Sequence, residues 1–267
     1  MSGASRGLSA LCALAVLLLV AGCRTAAPPA TALVPLVVGG DLDNRPFAWV
    51  DDRGRPRGRD VEMMTELGRR LGREVVWQRL PFEQLLEAAE HGRVEVVCAT
   101  LGHTPERQER VDFTRPYFET TLDVVVRRGR CEPAALADLA GRRVGAGPGT
   151  TAERALRELL PEALAVTANP EGRDGAARLA DGELDALVLD GPSAVALVSR
   201  HRTRLMRLPA ALAHESYALV LPRGRAQLRE ALNAALLATT AEGLRDRWNA
   251  RHDLHEHRRE ATAAPPR

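Results

Sequence analysis

The chain holds 267 residues, 45% hydrophobic and 27% charged, with a formal net charge of +2. That length suffices for one large domain or two lobes with separate cores, and the interspersed, nearly balanced charge excludes the concentrated basic face of a nucleic-acid binder. All 37 basic residues are arginine, which excludes a phosphate-loop or Schiff-base lysine but leaves the planar fork that suits carboxylates.

In chain order, residues 1–23 read as a signal peptide. Arg6 supplies the positive start, and Leu8 to Val20 is an apolar run short for a membrane-spanning helix. The run ends in Val20-Ala21-Gly22-Cys23, which resembles a bacterial lipoprotein cleavage site. That resemblance implies cleavage before Cys23, acylation of Cys23, and a protein held at the membrane by its lipid. Residues 24–33, rich in Ala and Pro, read as a flexible tether. No later segment is long and apolar enough to span a bilayer. Cys12 leaves with the signal, so Cys98 and Cys131 remain. An oxidising compartment permits a disulfide between them. Spacing does not place them within bonding distance, and two separate thiols, with Cys98 buried in a strand, is the preferred reading.

Short apolar runs then alternate with helical patterns. Leu36 to Gly39 reads as a buried strand, Val61 to Leu71 as a helix ending before Gly72, Glu74 to Trp77 as a strand, Phe82 to Ala89 as a helix, and Val94 to Cys98 as a strand. This order predicts a parallel sheet with helices on its faces. The pattern restarts with strands at Leu122 to Val126 and Arg143 to Gly145, a helix over Ala152 to Leu160, and a strand at Ala163 to Thr167. Gly175 to Leu179 reads as helical and Ala186 to Leu189 as a strand; a further helix and a loop precede a strand at Tyr217 to Leu221. One helical stretch covers Ala226 to Trp248, and the polar tail beyond reads as disordered. Two α/β units fit this order, with the chain crossing between them twice: residues 34–121 and 220–253 in lobe I, 122–219 in lobe II, and 254–267 as tail.

Several segments are more specific. Asp41-Leu42-Asp43-Asn44-Arg45-Pro46-Phe47 follows the first strand, and Phe82-Glu83-Gln84-Leu85-Leu86 opens a helix. Thr104-Pro105-Glu106-Arg107 precedes Val111-Asp112-Phe113-Thr114-Arg115-Pro116-Tyr117. Later come Leu139 to Gly145, Gly149-Thr150-Thr151-Ala152-Glu153, and Leu184-Asp185-Ala186-Leu187-Val188-Leu189-Asp190. Each is weak alone; in this order and register, from about Leu36 to His252, the chain resembles family 3 of the bacterial extracellular solute-binding proteins, the polar amino-acid binders that serve ABC importers. The resemblance implies a periplasmic-binding-protein-like type II fold, in which two α/β lobes are joined by a two-strand hinge. It also implies a periplasmic or cell-surface monomer whose partners are an amino-acid-like ligand and an importer permease.

Residues that match the family's site inherit expected roles. Arg107 matches the arginine that grips the ligand's α-carboxylate. Asp190 matches the acid that receives its α-ammonium, and Thr150 matches a residue capping the carboxylate at a helix N-terminus. Phe82 stands at a platform for the ligand's side chain, and Asp41 at a polar position of the first lobe. The chemistry is coherent: a zwitterion stripped of water needs an opposite charge and hydrogen bonds at each end. Two positions depart from the pattern. Asn44 stands where a Tyr or Phe usually covers the side chain, and Gly102 where a Ser or Thr usually donates a hydroxyl, which Thr100 replaces only in part.

No cofactor or metal is expected, and His252, His255 and His257, without a framing carboxylate or cysteine, read as a solvated tail. One alternative is a cyclohexadienyl-dehydratase-like enzyme on the same fold, which requires a general acid facing the ligand. Gly191-Pro192-Ser193 after Asp190 offers none, and no His or Glu is expected nearby. A periplasmic sensor or adaptor is the other alternative.

Overall fold

The computed structural model describes residues 34–129, 132–168 and 173–254. The expectations for the signal peptide, Cys23, the tether, Cys131 and the tail histidines His255 and His257 lie outside these described residues.

The chain begins with β1 (Leu36–Gly40), then a small antiparallel sheet of β2 (Asp43–Asn44), β3 (Ala48–Val50) and β4 (Pro56–Arg57). There follow α1 (Arg59–Arg70), β5 (Val75–Arg79), α2 (Phe82–Glu90), β6 (Val96–Val97) and the short α3 (Pro105–Gln108). The long strand β7 (Asp112–Arg127) leads to β8 (Arg143–Ala146), α4 (Thr151–Leu159), β9 (Leu164–Thr167) and α5 (Arg173–Ala180). After β10 (Ala186–Asp190), α6 (Gly191–Arg200) and β11 (Leu205–Arg207), β12 (Ala213–Leu221) returns the chain to α7 (Ala226–Ala241) and α8 (Leu244–Arg251).

A single sheet runs through the molecule in the order β5-β1-β6-β12-β7-β10-β8-β9, with β11 also paired to β7. Strands β5, β1 and β6 are parallel at one end, and β10, β8 and β9 are parallel at the other. Between them β12 and β7 pair antiparallel. Strand β7 divides its labour: residues up to Leu122 pair with β12, and Leu122 to Val126 pair with β10. These two strands form the hinge of a two-lobed α/β fold.

Each lobe has its own core because its parallel strands bury both faces. In the first lobe, Leu36, Val38 and Leu219 pack against Met63, Met64 and Leu67 of α1 and Trp248 of α8. On the opposite face, Val97 and Val220 meet Leu85, Ala88 and Ala89 of α2. In the second lobe, Val124, Val144 and Val188 pack on Ala152, Ala155 and Leu156 of α4, while Val125, Leu187 and Leu189 pack on Leu179, Ala194 and Leu197. Helix α1 shows why this order folds locally. Asp60 and Glu62 occupy its first turn and Arg69 and Arg70 its last, which complements the helix dipole.

Three expectations need adjustment. Strand β7 begins ten residues before Leu122, and Pro116 within it sits beside register shifts at Tyr217/Ala218 and Ala218/Val220; a residue without an N–H is tolerated where the ladder is already irregular. The expected helix from Ala226 to Trp248 is two helices, parted by Gly243 in the left-handed conformation (φ 68°). Tyr217 and Leu219, placed by the sequence boundary in the second lobe, and Leu254, placed in the tail, pack in the first lobe's core.

Candidate functional site

Two cavities lie in the cleft between the lobes. The inner one has a volume of about 110 Å³, roughly the share of four liquid waters. The outer one is about 660 Å³, within the usual range of ligand pockets.

The inner cavity gathers Phe82, Thr100, Gly102, Arg107, Thr150 and Asp190 from the sequence-derived set. Arg107 is carried by α3, whose start is fixed by Pro105 and by the Thr104 hydroxyl accepting from the Arg107 backbone N–H at 3.3 Å. Its guanidinium donates through Nη1 to the Gly102 carbonyl (2.6 Å) and through Nη2 to the Gly149 carbonyl (2.9 Å). The second bond reaches from the first lobe to the second. Burial pulls the Arg107 pKa below its ordinary value, with Glu215 opposing that shift. The guanidinium nevertheless stays protonated, and five N–H donors leave some for a ligand.

On the facing wall, Thr150 caps α4. Its hydroxyl accepts from the Glu153 N–H at 3.2 Å and donates to the Gly147 carbonyl at 2.7 Å. That hydroxyl is therefore committed to the cap, and anion affinity here comes from the unsatisfied N–H groups of the first turn. Asp190 closes β10 and caps α6, accepting from the Ser193 N–H at 3.0 Å. Burial raises its carboxyl above the usual range. Positive and negative groups thus face the same small volume from opposite lobes.

Phe82 lines the inner cavity while packing against the first lobe's second core, so it is both wall and core. Asn44 lines the outer cavity instead, and its Nδ2 donates to the Thr100 hydroxyl at 2.9 Å. This bond joins the two cavities' walls and holds Thr100 in the left-handed region (φ 49°), a strained conformation for a β-branched residue. The outer cavity also presents Arg45, stacked on Trp49 at 4.6 Å, and Arg79, which donates to the Asp41 carbonyl at 3.0 Å. Asp41 lines neither cavity. It is 8% exposed, its Oδ1 has no partner among the described residues, and burial pushes its carboxyl up to about 6.

The cavity includes groups that sequence reasoning missed: Glu215, Thr151 and Tyr217. The expectation that no Glu stands near Asp190 is thereby corrected. Glu215 is 8% exposed, its carboxylate accepts a short hydrogen bond from the Thr151 hydroxyl, and burial pushes it up to about 8 against the pull of that bond. Period-2 alternation offered a signal, since Glu215, Tyr217 and the apolar residues beyond lie on one strand. The strand had been expected to begin only at Tyr217. His252, the one tail histidine among the described residues, bonds Glu62 at 2.9 Å. Among the described residues no cluster of His, Cys, Asp and Glu fits a metal ion, and no helix is long and apolar enough to cross a membrane. Cys98 is a buried free thiol, its pKa pushed well up by burial.

Comparison with known proteins gives a consistent result. The family model described as bacterial extracellular solute-binding proteins, family 3, matches residues 36–252. The L-cystine-binding protein TcyJ of Escherichia coli (strain K12) is 27% identical over 218 residues, covering 80% of this chain and 82% of its own. An ancestral arginine-binding protein solved with arginine superposes with a TM-score of 0.74 at 27% identity, over 83% of this chain and 99% of that one. The ancestral amino acid-binding protein AncCDT-1, a precursor of cyclohexadienyl dehydratase, gives 0.72 at 26% identity, over 82% and 95%.

Proposed function

Because this chain belongs to family 3 of the bacterial extracellular solute-binding proteins, we propose that it captures a polar amino acid or related zwitterion between its lobes and delivers it to an ABC importer. It is a binding protein of the type II periplasmic fold rather than an enzyme. The observation that carries the proposal is the pairing of Arg107 and Asp190 on opposite walls of one cavity, beside the N-terminus of α4. A carboxylate held by Arg107 and an ammonium held by Asp190 would bridge the lobes, and a ligand that prefers the closed arrangement shifts the population towards it. The inner cavity suits the zwitterionic head, and the outer cavity, past Asn44 and Thr100, offers room for the side chain. Thr150 contributes the helix terminus, Phe82 a wall, and Asp41 a buried acid behind the Arg79 contact. Cleavage at Cys23 and acylation there would tether the monomer outside the cytoplasm, within reach of its permease.

The test is a thermal-shift screen of the purified protein against the common amino acids and L-cystine. A ligand at about 100 times its Kd stabilises by roughly 2.7 kcal/mol. In calorimetric titration of the compound that binds, Arg107→Ala should lose at least 100-fold in affinity, because charge-assisted hydrogen bonds contribute roughly 1.5–3 kcal/mol each. Near-normal affinity in that variant would refute the assignment.

A further inference from the structure

Glu215 stands in the inner cavity at a place that chain geometry has cleared for it. A Cβ built on Gly102 would fall 2.6 Å from Glu215 Oε1 and 2.5 Å from Thr151 Cγ2. Gly102 is also the position where the family pattern expects a hydroxyl donor. The side chain missing at Gly102 is thus matched by a carboxyl arriving from the hinge strand β12. That carboxyl is held by a hydroxyl on α4 of the second lobe, whereas Gly102 accepts Arg107 and pairs with Tyr217 in the first.

We infer that Glu215 is a ligand-recognition residue: its carboxyl fills the room left by Gly102, ties to Thr151 at the start of α4, and hydrogen-bonds the ligand carboxylate that Arg107 holds. The inference rests on the amino-acid reading above in placing a carboxylate at Arg107. An ionised Glu215 would repel that carboxylate, so the contact requires the protonated acid, which donates where a carboxylate cannot. Its burial favours this form, with a pKa of about 8. With Glu215 neutral, Arg107 and Asp190 offer one opposite charge to each end of a zwitterion, and Glu83 also lines the cavity.

Other charged groups face Glu215 as well. Arg107 and Asp190 act on it through space, the Tyr217 side chain hydrogen-bonds it, Glu83 lines the same cavity, and Arg154 of α4, Glu119 of β7, His103 and His214 line the cavity on its far side. Arginines do not titrate in the working range. Burial lowers the His103 imidazole further below the range in which Glu215 is tested. Burial raises the Asp190 carboxyl as well, and an ionised Asp190 strengthens rather than weakens the hold on an ammonium.

The experiment uses the amino acid that gives the largest thermal shift among the twenty common L-amino acids and L-cystine, titrated calorimetrically into wild type, Glu215→Gln and Gly102→Ala between pH 7 and pH 9. The wild type should bind about tenfold more weakly at pH 9 than at pH 7, as an acid with a pKa of about 8 must then be reprotonated. Glu215→Gln, which keeps a donor but cannot ionise, should bind a few-fold more weakly at pH 7 and lose no further affinity beyond the part due to the probe's own ammonium. Gly102→Ala should weaken binding at both pH values by displacing the carboxyl. Parallel pH profiles in wild type and Glu215→Gln would overturn the role of Glu215 while leaving the amino-acid site intact. So would wild-type affinity that rises towards pH 9. Failure of every probe to bind the wild type would overturn the amino-acid reading itself.

Discussion

Replacing Arg59 with methionine should destabilise the protein by about 3–5 kcal/mol, the range for removing one partner of a buried ion pair. Arg59 opens α1 and is 0% exposed. Its Nη1 donates to Asp60 Oδ1 at 3.0 Å, its Nη2 to the Tyr117 carbonyl at 3.1 Å, and its Nε to Asn249 Oδ1 at 3.1 Å. The guanidinium also lies 5.0 Å from the Tyr117 ring centre. One side chain therefore joins α1, the hinge strand β7 and the C-terminal helix α8. Methionine keeps much of the volume but leaves the Asp60 carboxylate, also 0% exposed, without its charged partner, with only neutral donors such as the Tyr117 hydroxyl at 2.8 Å. A domain's whole stability is about 5–15 kcal/mol, so the loss should be plain in urea unfolding followed by tryptophan fluorescence. Adding Asp60→Asn should recover a substantial part, because the unpaired charge is then gone. A loss below about 1 kcal/mol for Arg59→Met alone would refute the argument that this charge holds the three elements together.

Three further outcomes follow from other contacts. Arg154 of the second lobe meets Glu106 of the first at 3.0 Å, with 40% and 62% of the side chains exposed; Arg154→Ala should weaken ligand affinity by at most about fivefold in calorimetry, an effect shrinking with added salt. Asp41 is raised from 3.8 to about 6 by burial, so the folded protein binds this proton more tightly than the unfolded chain. Its contribution is fully present below about pH 4 and is lost as pH rises through about 6. Asp41→Asn should therefore stabilise the protein at pH 8 by about 2–3 kcal/mol and flatten the Tm profile between pH 4 and 6. Gly58 has φ 122°, and a Cβ there would strike the Phe47 carbonyl and lie 2.9 Å from the Trp49 ring; Gly58→Ala should cost at least about 2 kcal/mol in chemical unfolding.

Local signals made much of the architecture legible. Leu36 to Gly40, Phe82 to Glu90 and Ala186 to Asp190 lie within a residue or two of where runs and periodicity put them, because a buried parallel strand and an amphipathic helix each advertise themselves in a few residues. Gly243 shows a local signal left unused, since a glycine inside a helical pattern often marks its end. The start of β7 was harder. Asp112 to Thr121 mixes charged, aromatic and proline residues, and its strand character comes from pairing with β12, about 100 positions away in sequence.

The sequence by itself determined the two α/β units, the hinge order, the family pattern and the charges of Arg107 and Asp190, since each depends on residue type and on neighbours within a turn or a strand. Tertiary structure alone decided how those residues meet. Asn44 and Thr100 join across 56 positions, Arg107 reaches the Gly149 carbonyl across the cleft, and Asp41 is left beside the cavities rather than in them. It also decided the state of Glu215. The sequence put Glu215 in the loop before Tyr217, and its proton is favoured by burial against the pull of Thr151, 64 residues earlier in the chain. A side chain's type is written in the chain, but its desolvation and its partners exist only once distant segments have packed.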